Sequence, residues 1–346
     1  MKTIKNISIN LVKKKKTQIQ QKKIQFNKKK NIYIKVDSCG ICSSDLKFIK
    51  TGSRIKKFPI TLGHEISGSI SKNKNVILCA EIPCGKCHIC KQKSKFSNLC
   101  DRPISIGSNF NGGFANYFVV EKKIYKKIPK ITYSGKILKY APLAESIACV
   151  INGLEIAEFD KKKSIIIIGS GYMGLIFVSI AKLLKCKKIA VVDYDMKRLN
   201  LAKKLGANFV FKVKIDTNTN IRKVLKPTYQ NGYDIVISAN GNQKSHEFST
   251  RLVSKRGVVN IFGGIPKNKK ILLDTNYLHY RESKITGSFS SNLTHLKKAF
   301  KIIKSKKIDF SKIVSSYANF DNFNNKIKRL INKKEVKVIF NPNYEI

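Results

Sequence analysis

One stretch, SIIIIGSGYMGLIFVSIAKLLKCKKIAVVDYD at positions 164–195, constrains the fold of this chain more than any other. It reads as an apolar strand, a glycine-containing turn, a helix with apolar residues on one face, and a second apolar strand. Two further apolar runs, YDIVISAN and GVVNIFGG, continue the alternation of strands and helices downstream. Alternation of this kind is typical of a doubly wound parallel sheet. The sequence therefore predicts an α/β domain in the second half of the chain.

The turn in this stretch has the spacing of a dinucleotide-binding motif. Gly169, Gly171 and Gly174 form G-x-G-x-x-G between a strand and a helix, where glycines allow a tight turn and close approach of a pyrophosphate. Asp193 ends the next strand, where a carboxylate can accept hydrogen bonds from the adenosine ribose and repel a 2′-phosphate. Arg198 would soften that preference for NAD, and a plain strand-to-helix turn is the alternative interpretation. The predicted cofactor-binding residues of this Rossmann domain are Gly169, Gly171, Tyr172, Met173, Gly174, Asp193 and Arg198.

The first half of the chain has a different pattern of apolar residues and turns. Up to about residue 140, short β-like runs such as NIYIKV, NVILCA and ANYFVV are separated by polar or glycine-containing turns. We therefore predict a second, mainly β domain that precedes the α/β domain.

Four of the nine cysteines lie within seventeen residues, at Cys84, Cys87, Cys90 and Cys100. The odd total and the lack of an apolar leader argue against a secreted disulfide scaffold, so we predict a cytoplasmic protein. In a reducing compartment, clustered cysteines bind metal more often than they form disulfides.

A second group of candidate metal ligands lies upstream of this cluster. The segment CGICSSD contains Cys42 beside two hydroxyls and an acid, and LGHEISG contains His64 and Glu65. Thiolate, imidazole and carboxylate together suit a zinc ion with one open position. A redox pair of Cys39 and Cys42 is the alternative, but the helix of a thioredoxin-like unit does not follow it.

The net charge of +48 is spread along the whole chain. Only eight of the 69 basic residues are arginines, and the lysine runs fall at several predicted element edges. A nucleic-acid-binding protein would be expected to show a localised basic face, so we predict solvated lysines and no specific nucleic-acid partner. A true polyanion site is the alternative. No apolar run approaches eighteen residues, which predicts no membrane span.

Taken in order, these motifs resemble the zinc-containing medium-chain alcohol and polyol dehydrogenases, a family that includes the sorbitol and threonine dehydrogenases. The resemblance runs from VDSCGICSSDL through LGHEISG, the four cysteines, NGGFANYFVV, APLAESIACVINGLE and the glycine motif to LHYRESKITGSF. It implies a GroES-like catalytic domain at 1–145 with a structural zinc lobe at 84–100. It also implies an NAD-binding Rossmann domain at 146–287 and a C-terminal segment, 288–346, that returns to the catalytic domain.

The resemblance implies a role for each candidate residue. Cys42, His64 and Glu145 would be the protein ligands of a catalytic zinc, with Glu65 beside the metal or, in some members, bound to it. Ser44 would begin a proton relay. A second, structural zinc would be bound by Cys84, Cys87, Cys90 and Cys100. An iron–sulfur cluster is the alternative, although a ferredoxin run has its fourth cysteine after three residues rather than the nine found here; an unmetallated lobe is a further alternative.

One departure from the family pattern concerns the catalytic site, because Ser146 stands where a proline usually follows the third ligand. The motifs nevertheless predict an NAD-dependent zinc oxidoreductase that acts on a secondary alcohol, polyol, cyclitol or sugar alcohol. The alternatives are an amino alcohol dehydrogenase of the threonine type and an inactive basic binding protein on the same fold. The expected partners are a small alcohol substrate and further copies of the chain, as a dimer or tetramer.

Overall fold

A computed structural model of the chain describes residues 3–92, 96–215 and 221–345. The chain divides into two compact units. The first comprises Met1–Ala148 and Ser290–Ile346, and the second comprises Cys149–Phe289. The chain thus returns to its first unit after the second is complete.

The described residues form strands and helices along the whole chain. The strands, in chain order, are β1 (Thr3–Lys13), β2 (Lys16–Gln25), β3 (Asn31–Ile41), β4 (Ile60–Thr61), β5 (Glu65–Ser71), β6 (Lys74–Leu78), β7 (Glu81–Ile82), β8 (Ile104–Ser105), β9 (Tyr117–Glu121), β10 (Lys130–Tyr133), β11 (Ser164–Ile168), β12 (Lys188–Asp193), β13 (Phe209–Lys212), β14 (Tyr233–Ser238), β15 (Val253–Ile261), β16 (Lys284–Gly287), β17 (Val314–Ala318) and β18 (Lys337–Phe340). The α-helices are α1 (Ser43–Thr51), α2 (His88–Lys91), α3 (Lys122–Lys127), α4 (Ala144–Ile156), α5 (Tyr172–Leu183), α6 (Met196–Lys204), α7 (Ile221–Leu225), α8 (Gln243–Thr250), α9 (Thr275–His279), α10 (Leu293–Ser305) and α11 (Phe323–Ile331). Short 3-10 turns lie at Ser97–Leu99, Ala141–Leu143, Lys226–Thr228 and Phe310–Lys312.

The first unit is mainly β, and β3 lies at the centre of its largest sheet. The strand order is β10-β6-β5-β3-β18-β17, and β9 also pairs with β3. Ile34 and Val36 are fully buried while Lys35 between them is exposed, so β3 has the alternation of a half-buried strand. Antiparallel pairing places Gly40 opposite Glu65 in β5 and beside Ile339 in β18. The C-terminal strand therefore lies next to the segment that leads into Cys42.

The second unit contains a six-stranded parallel sheet with the order β13-β12-β11-β14-β15-β16. Residues 165–168 of β11 are all fully buried, as expected for a central parallel strand that is covered on both faces. The order reverses at β11, so the turn after β11 lies at the carboxyl-end switch point where doubly wound sheets bind ligands. The predicted doubly wound fold is confirmed. None of the helices in the described ranges combines the length and the apolar character needed to cross a bilayer.

Candidate active site

Cys42 lies at the junction of β3 and α1. A helix therefore does follow the Cys39–Cys42 pair, contrary to the expectation from the sequence. Asp45 holds this junction in place. Cys42 precedes the first residue of α1, and its backbone N–H donates to Oδ2 of Asp45 at 2.8 Å. The other carboxylate oxygen of Asp45 accepts from the backbone N–H of Gly63 at 3.3 Å. Because Asp45 is completely buried, these bonds join the Cys42 segment firmly to the segment that carries His64.

The two ring nitrogens of His64 face different partners. Nδ1 lies 3.6 Å from Oδ1 of Asp45, and Nε2 lies 3.4 Å from the hydroxyl of Ser44. Burial alone would lower the pKa of His64, but the negative charges of Asp45 and Cys42 outweigh it and raise the pKa well above its usual value. A carboxylate behind Nδ1 leaves Nε2 as the nitrogen available to a metal, which is the usual arrangement of a metal-binding histidine.

Glu65 is fully buried and is paired with a buried lysine. Nζ of Lys337 lies 2.7 Å from Oε1 and 2.5 Å from Oε2 of Glu65, and it also donates to the carbonyl of Ile41 at 3.1 Å. The hydroxyl of Ser146 donates to Oε1 at 2.8 Å. Burial lowers the pKa of Lys337, but the charge of Glu65 outweighs burial and raises it. The pair is therefore an ammonium–carboxylate pair inside the first unit.

The structure brings Cys42, His64 and Glu65 together. Their ligand atoms all lie within 4.8 Å of one another. Among the described residues, Glu145, the predicted third ligand, is not part of this cluster. It lies in the first turn of α4 and is buried, and its charge adds to burial in raising the pKa of the Cys79 thiol.

This donor set fits the zinc ion that the family motifs imply. A sulfur, an imidazole nitrogen and a carboxylate are the donors that zinc prefers, and the imidazole is backed by a second carboxylate. When His64 is neutral, as metal binding requires, Lys337 offsets one of the negative charges that Glu65, Asp45 and a Cys42 thiolate bring to this site. A divalent cation would offset the remainder.

The four clustered cysteines form a separate site. The Sγ atoms of Cys84 and Cys90 are 3.9 Å apart, as are those of Cys87 and Cys100. A tetrahedral shell with zinc–sulfur bonds of about 2.3 Å requires sulfurs about 3.8 Å apart, so this spacing fits one metal ion. The backbone N–H groups of Lys86 and Cys87 lower the pKa of the Cys84 thiol to about 6, whereas burial raises the pKa of the Cys90 thiol to about 12 and also raises that of Cys100. A bound cation would favour the thiolate form that metal binding requires.

The predicted cofactor residues meet at the carboxyl end of β11 and β12. Oδ2 of Asp193 accepts bonds from the backbone N–H of Ser170 at 2.6 Å and from its hydroxyl at 2.8 Å. A Cβ on Gly174 would lie 1.9 Å from the carbonyl oxygen of Gly169, so glycine is required there for the helix to approach the strand. Tyr172 and Met173 open α5, and Nη1 of Arg198 lies 3.7 Å from the position of a Cβ on Gly171.

Comparisons with known proteins show the family to which the chain belongs. A family model described as "Alcohol dehydrogenase GroES-like domain" matches residues 28–130, and one described as "Zinc-binding dehydrogenase" matches residues 173–305. The NAD-dependent alcohol dehydrogenase of Sulfolobus acidocaldarius is 31% identical over 264 residues, which cover 70% of this chain and 74% of that protein. The chain belongs to the zinc-containing medium-chain alcohol and polyol dehydrogenase family.

Other relatives of this medium-chain dehydrogenase match over most of its length. The D-arabitol-phosphate dehydrogenase of Enterococcus avium is 29% identical over 335 residues, covering 91% of this chain and 90% of that protein. A solved zinc-binding dehydrogenase from Sinorhizobium meliloti, bound to NADP, has a TM-score of 0.86 at 23% identity and covers 98% of this chain and 100% of its own. The latter likeness concerns the fold alone. At the level of the family, the predicted fold class and the predicted zinc-dependent alcohol and polyol oxidoreductase are confirmed.

Two residues of this dehydrogenase site were not predicted from the sequence. Lys337 forms the buried pair with Glu65, and Gly40 makes room for it, because a Cβ on Gly40 would lie 1.8 Å from Oε2 of Glu65 and 3.0 Å from Nζ of Lys337. The only available signal for Lys337 was its place inside the apolar run VKVIF, where a strand facing the core would bury it. Lysines are so common in this chain that this one does not stand out.

Proposed function

We propose that this chain is an NAD-dependent zinc dehydrogenase that interconverts a secondary alcohol, polyol, cyclitol or sugar alcohol and the corresponding ketone. The observation that carries the proposal is the convergence of the half-buried Cys42 with the buried His64 and Glu65, beside the hydroxyl of Ser44. A site that only stabilised the fold would need neither a half-buried hydroxyl beside His64 nor two carboxylates and a thiol around one imidazole. An inactive binding protein of the same fold would not be expected to retain all of these groups.

Each residue of the site has a distinct task in the proposed reaction. A zinc ion bound by Cys42, His64 and a carboxylate would polarise the substrate oxygen and lower the pKa of the substrate hydroxyl. Ser44 is half-buried, so its hydroxyl can take up the substrate proton and pass its own toward solvent. Asp45 holds His64 with Nε2 toward the metal site, so the ring needs no reorientation when the metal binds.

We propose Glu145 as the third ligand and Glu65 as the carboxylate beside it. Glu65 is the nearer of the two to Cys42 and His64 in this structure, but its charge is already paired with Lys337. Binding of Glu65 to the metal would weaken that buried ion pair, and a buried charge that loses its partner is costly. Binding of Glu145 to the metal would leave the Glu65–Lys337 pair intact.

Asp193 supports NAD as the cofactor. NAD would accept the hydride from the carbinol carbon of the substrate. Its carboxylate lies at the end of β12, where it would meet the ribose hydroxyls. Arg198 brings a positive charge near the glycine turn, and the related Sinorhizobium meliloti structure holds NADP.

We therefore expect Asp193→Ala to weaken the binding of NAD and to reduce the ratio of the affinity for NAD to the affinity for NADP. Titration of nucleotide binding with both cofactors measures this, and an unmodified enzyme that prefers NADP would refute the assignment.

We also propose a second zinc ion in the four-cysteine lobe, a cytoplasmic location and a homo-oligomeric state. None of the nine cysteines, all of which lie in the described ranges, forms a disulfide, as expected in a reducing compartment. The sulfur spacing in the lobe supports zinc bound by one thiolate from each cysteine. The oligomeric state stays a prediction from the family resemblance.

A substrate panel with NAD and NADP tests the proposed function. The panel should contain sorbitol, xylitol, D-arabitol, D-arabitol phosphate, a cyclitol, 2-propanol and L-threonine, because the related Enterococcus avium enzyme is named for a phosphorylated polyol. Formation of NADH or NADPH is followed by absorbance, and zinc content is measured on the same sample. We expect turnover of a polyol, two zinc ions per chain and no turnover by the His64→Ala variant. Preferred oxidation of L-threonine would support the amino alcohol alternative, and absence of turnover with full zinc content would support a binding protein.

A further inference from the structure

Ser146 makes a contact that the residue usual at its position could not make. Proline commonly follows the third ligand in this family, and it has no hydroxyl. In this chain the Ser146 hydroxyl donates to Oε1 of Glu65 at 2.8 Å. Both side chains are inaccessible to solvent, with Ser146 1% and Glu65 0% exposed. The bond is therefore protected from exchange with water and contributes more than a surface bond would.

This bond joins two elements that carry competing carboxylates. Ser146 directly follows Glu145 in the first turn of α4, and Glu65 directly follows His64 at the start of β5. The two bonded residues are 81 positions apart in the chain. The hydroxyl thus ties the helix start that carries one proposed ligand to the strand start that carries the other.

The contacts on Glu65 occupy both of its oxygens. Oε1 accepts from Lys337 and from Ser146, and Oε2 accepts from Lys337. A carboxylate whose charge is paired and which already accepts three hydrogen bonds is a poorer metal ligand than a free carboxylate. Loss of the Ser146 hydroxyl would free one lone pair of Glu65, a carboxylate that has an oxygen close to the ligand atoms of Cys42 and His64.

We propose that Ser146 is a positioning residue that, together with Lys337, keeps Glu65 from binding the catalytic metal. Cys42, His64 and Glu145 then bind the metal, and the remaining position stays open for substrate. Without the hydroxyl, Glu65 competes for that position, and the metal is held by more protein ligands. This inference rests on the proposed function, because it assumes a metal at this site.

Cobalt substitution tests the inference without relying on turnover. The catalytic zinc is exchanged for Co²⁺, and the visible spectrum and the rate of cobalt release to a chelator are recorded for the unmodified protein, Ser146→Ala and Ser146→Thr. In Ser146→Ala we expect a weaker d–d absorption, because Glu65 would add a ligand to the cobalt ion. We also expect cobalt to be released about tenfold more slowly, which is the size of effect expected for one bond to a charged group. Ser146→Thr retains a hydroxyl and should restore both properties. In turnover, Ser146→Ala should raise KM more than it lowers kcat.

Two further variants make the result decisive. Ser179→Ala is the matched control, since it also removes a buried hydroxyl from a helix, but one that bonds to the backbone carbonyl of Leu175. Ser146→Pro is a second hydroxyl-free variant, tolerated in the first turn of a helix, and it replaces Ser146→Ala if that protein does not fold. An unchanged spectrum and release rate in the hydroxyl-free variant would overturn the inference even if the enzyme is active. A shifted spectrum in a protein with no dehydrogenase activity would support the inference while the proposed function fails.

Discussion

Glu65 shows how single side chains from distant parts of the chain define this site. Its ammonium partner, Lys337, is 272 positions away and reaches the site because β18 pairs with β3. Gly40, in β3, leaves the space that this pair fills. The ligand atoms of Cys42 and His64 lie within 4.8 Å of this carboxylate, so the charge on Glu65 affects any metal bound there.

The first residue-scale prediction concerns the metal ligands. We expect Cys42→Ala and His64→Ala to abolish turnover, because each removes a donor from the cluster. Binding of NAD should stay within about twofold of the unmodified protein, because the predicted cofactor residues lie in the other unit. Steady-state rates and a titration of NADH fluorescence measure the two properties. Comparable turnover by His64→Ala would show that the catalytic assignment is wrong.

The second residue-scale prediction concerns the buried ion pair. Lys337→Met removes the ammonium and leaves Glu65 as an uncompensated buried charge, so the free energy of unfolding should fall by about 3 kcal/mol or more. Urea unfolding of the metal-free protein measures this loss. Lys334→Met is the matched control, because Lys334 is exposed and lies three positions earlier. Equal stability of the two variants would mean that the Glu65–Lys337 pair does not contribute to stability.

At the scale of elements, the strand–turn–helix unit 164–183 carries Gly169, Gly171, Tyr172, Met173 and Gly174, and the backbone N–H of Gly169 donates to the carbonyl of Val192 in β12. β11 ends at Ile168, the turn passes through Gly169 with a φ of 103°, and α5 begins after Gly171. The left-handed φ at Gly169 favours glycine because other residues rarely adopt it.

The element-scale prediction uses the close approach of α5 to this turn. A Cβ on Gly174 would lie 1.9 Å from a backbone oxygen, so Gly174→Ala must displace the helix start from the strand. We expect at least a tenfold loss of NAD affinity together with a lower melting temperature. Gly287→Ala, where a Cβ would meet nothing within 4 Å, is the control and should change neither. Normal NAD binding by Gly174→Ala would argue against a dinucleotide at this turn.

At the scale of the whole molecule, the net charge of +48 is the dominant property. Charges of one sign at this density attract polyanions and raise the local concentration of anionic ligands. Surface pairs such as Lys284–Glu158, which is half exposed, offset little of it. The buried Lys337 differs from these lysines because it acts on one carboxylate at hydrogen-bond distance.

The whole-molecule prediction separates this charge from the proposed reaction. We expect nucleic acid to bind weakly, without sequence preference, and to dissociate as salt rises from about 50 to 200 mM. The maximal rate of turnover should change by less than a few-fold over the same range, because ions screen buried contacts less than surface charges separated by about 10 Å of solvent. Filter binding and steady-state rates measure both. Tight binding to one defined sequence at about 0.2 M salt would contradict the interpretation of the lysines as solvated surface.

Local spacing in the sequence was enough to predict the parts of this protein that short segments build. The glycine turn and the four-cysteine lobe each lie within a few dozen residues, so their geometry follows from the chain segment itself. The family motifs also predicted the order of the mainly β domain and the Rossmann domain along the chain. These features depend on the conformations available to a few neighbouring residues, which residue type and spacing determine.

Only the tertiary structure decided how the carboxylates around Cys42 and His64 are arranged. Strand pairing brings Lys337 to Glu65, and the first turn of α4 brings the Ser146 hydroxyl to the same carboxylate. Glu145 lies outside the cluster that Glu65 joins, although the sequence pattern favours Glu145 as the ligand. Local sequence cannot specify such contacts, because they depend on which distant strands pair and on where the start of a helix lies relative to those strands.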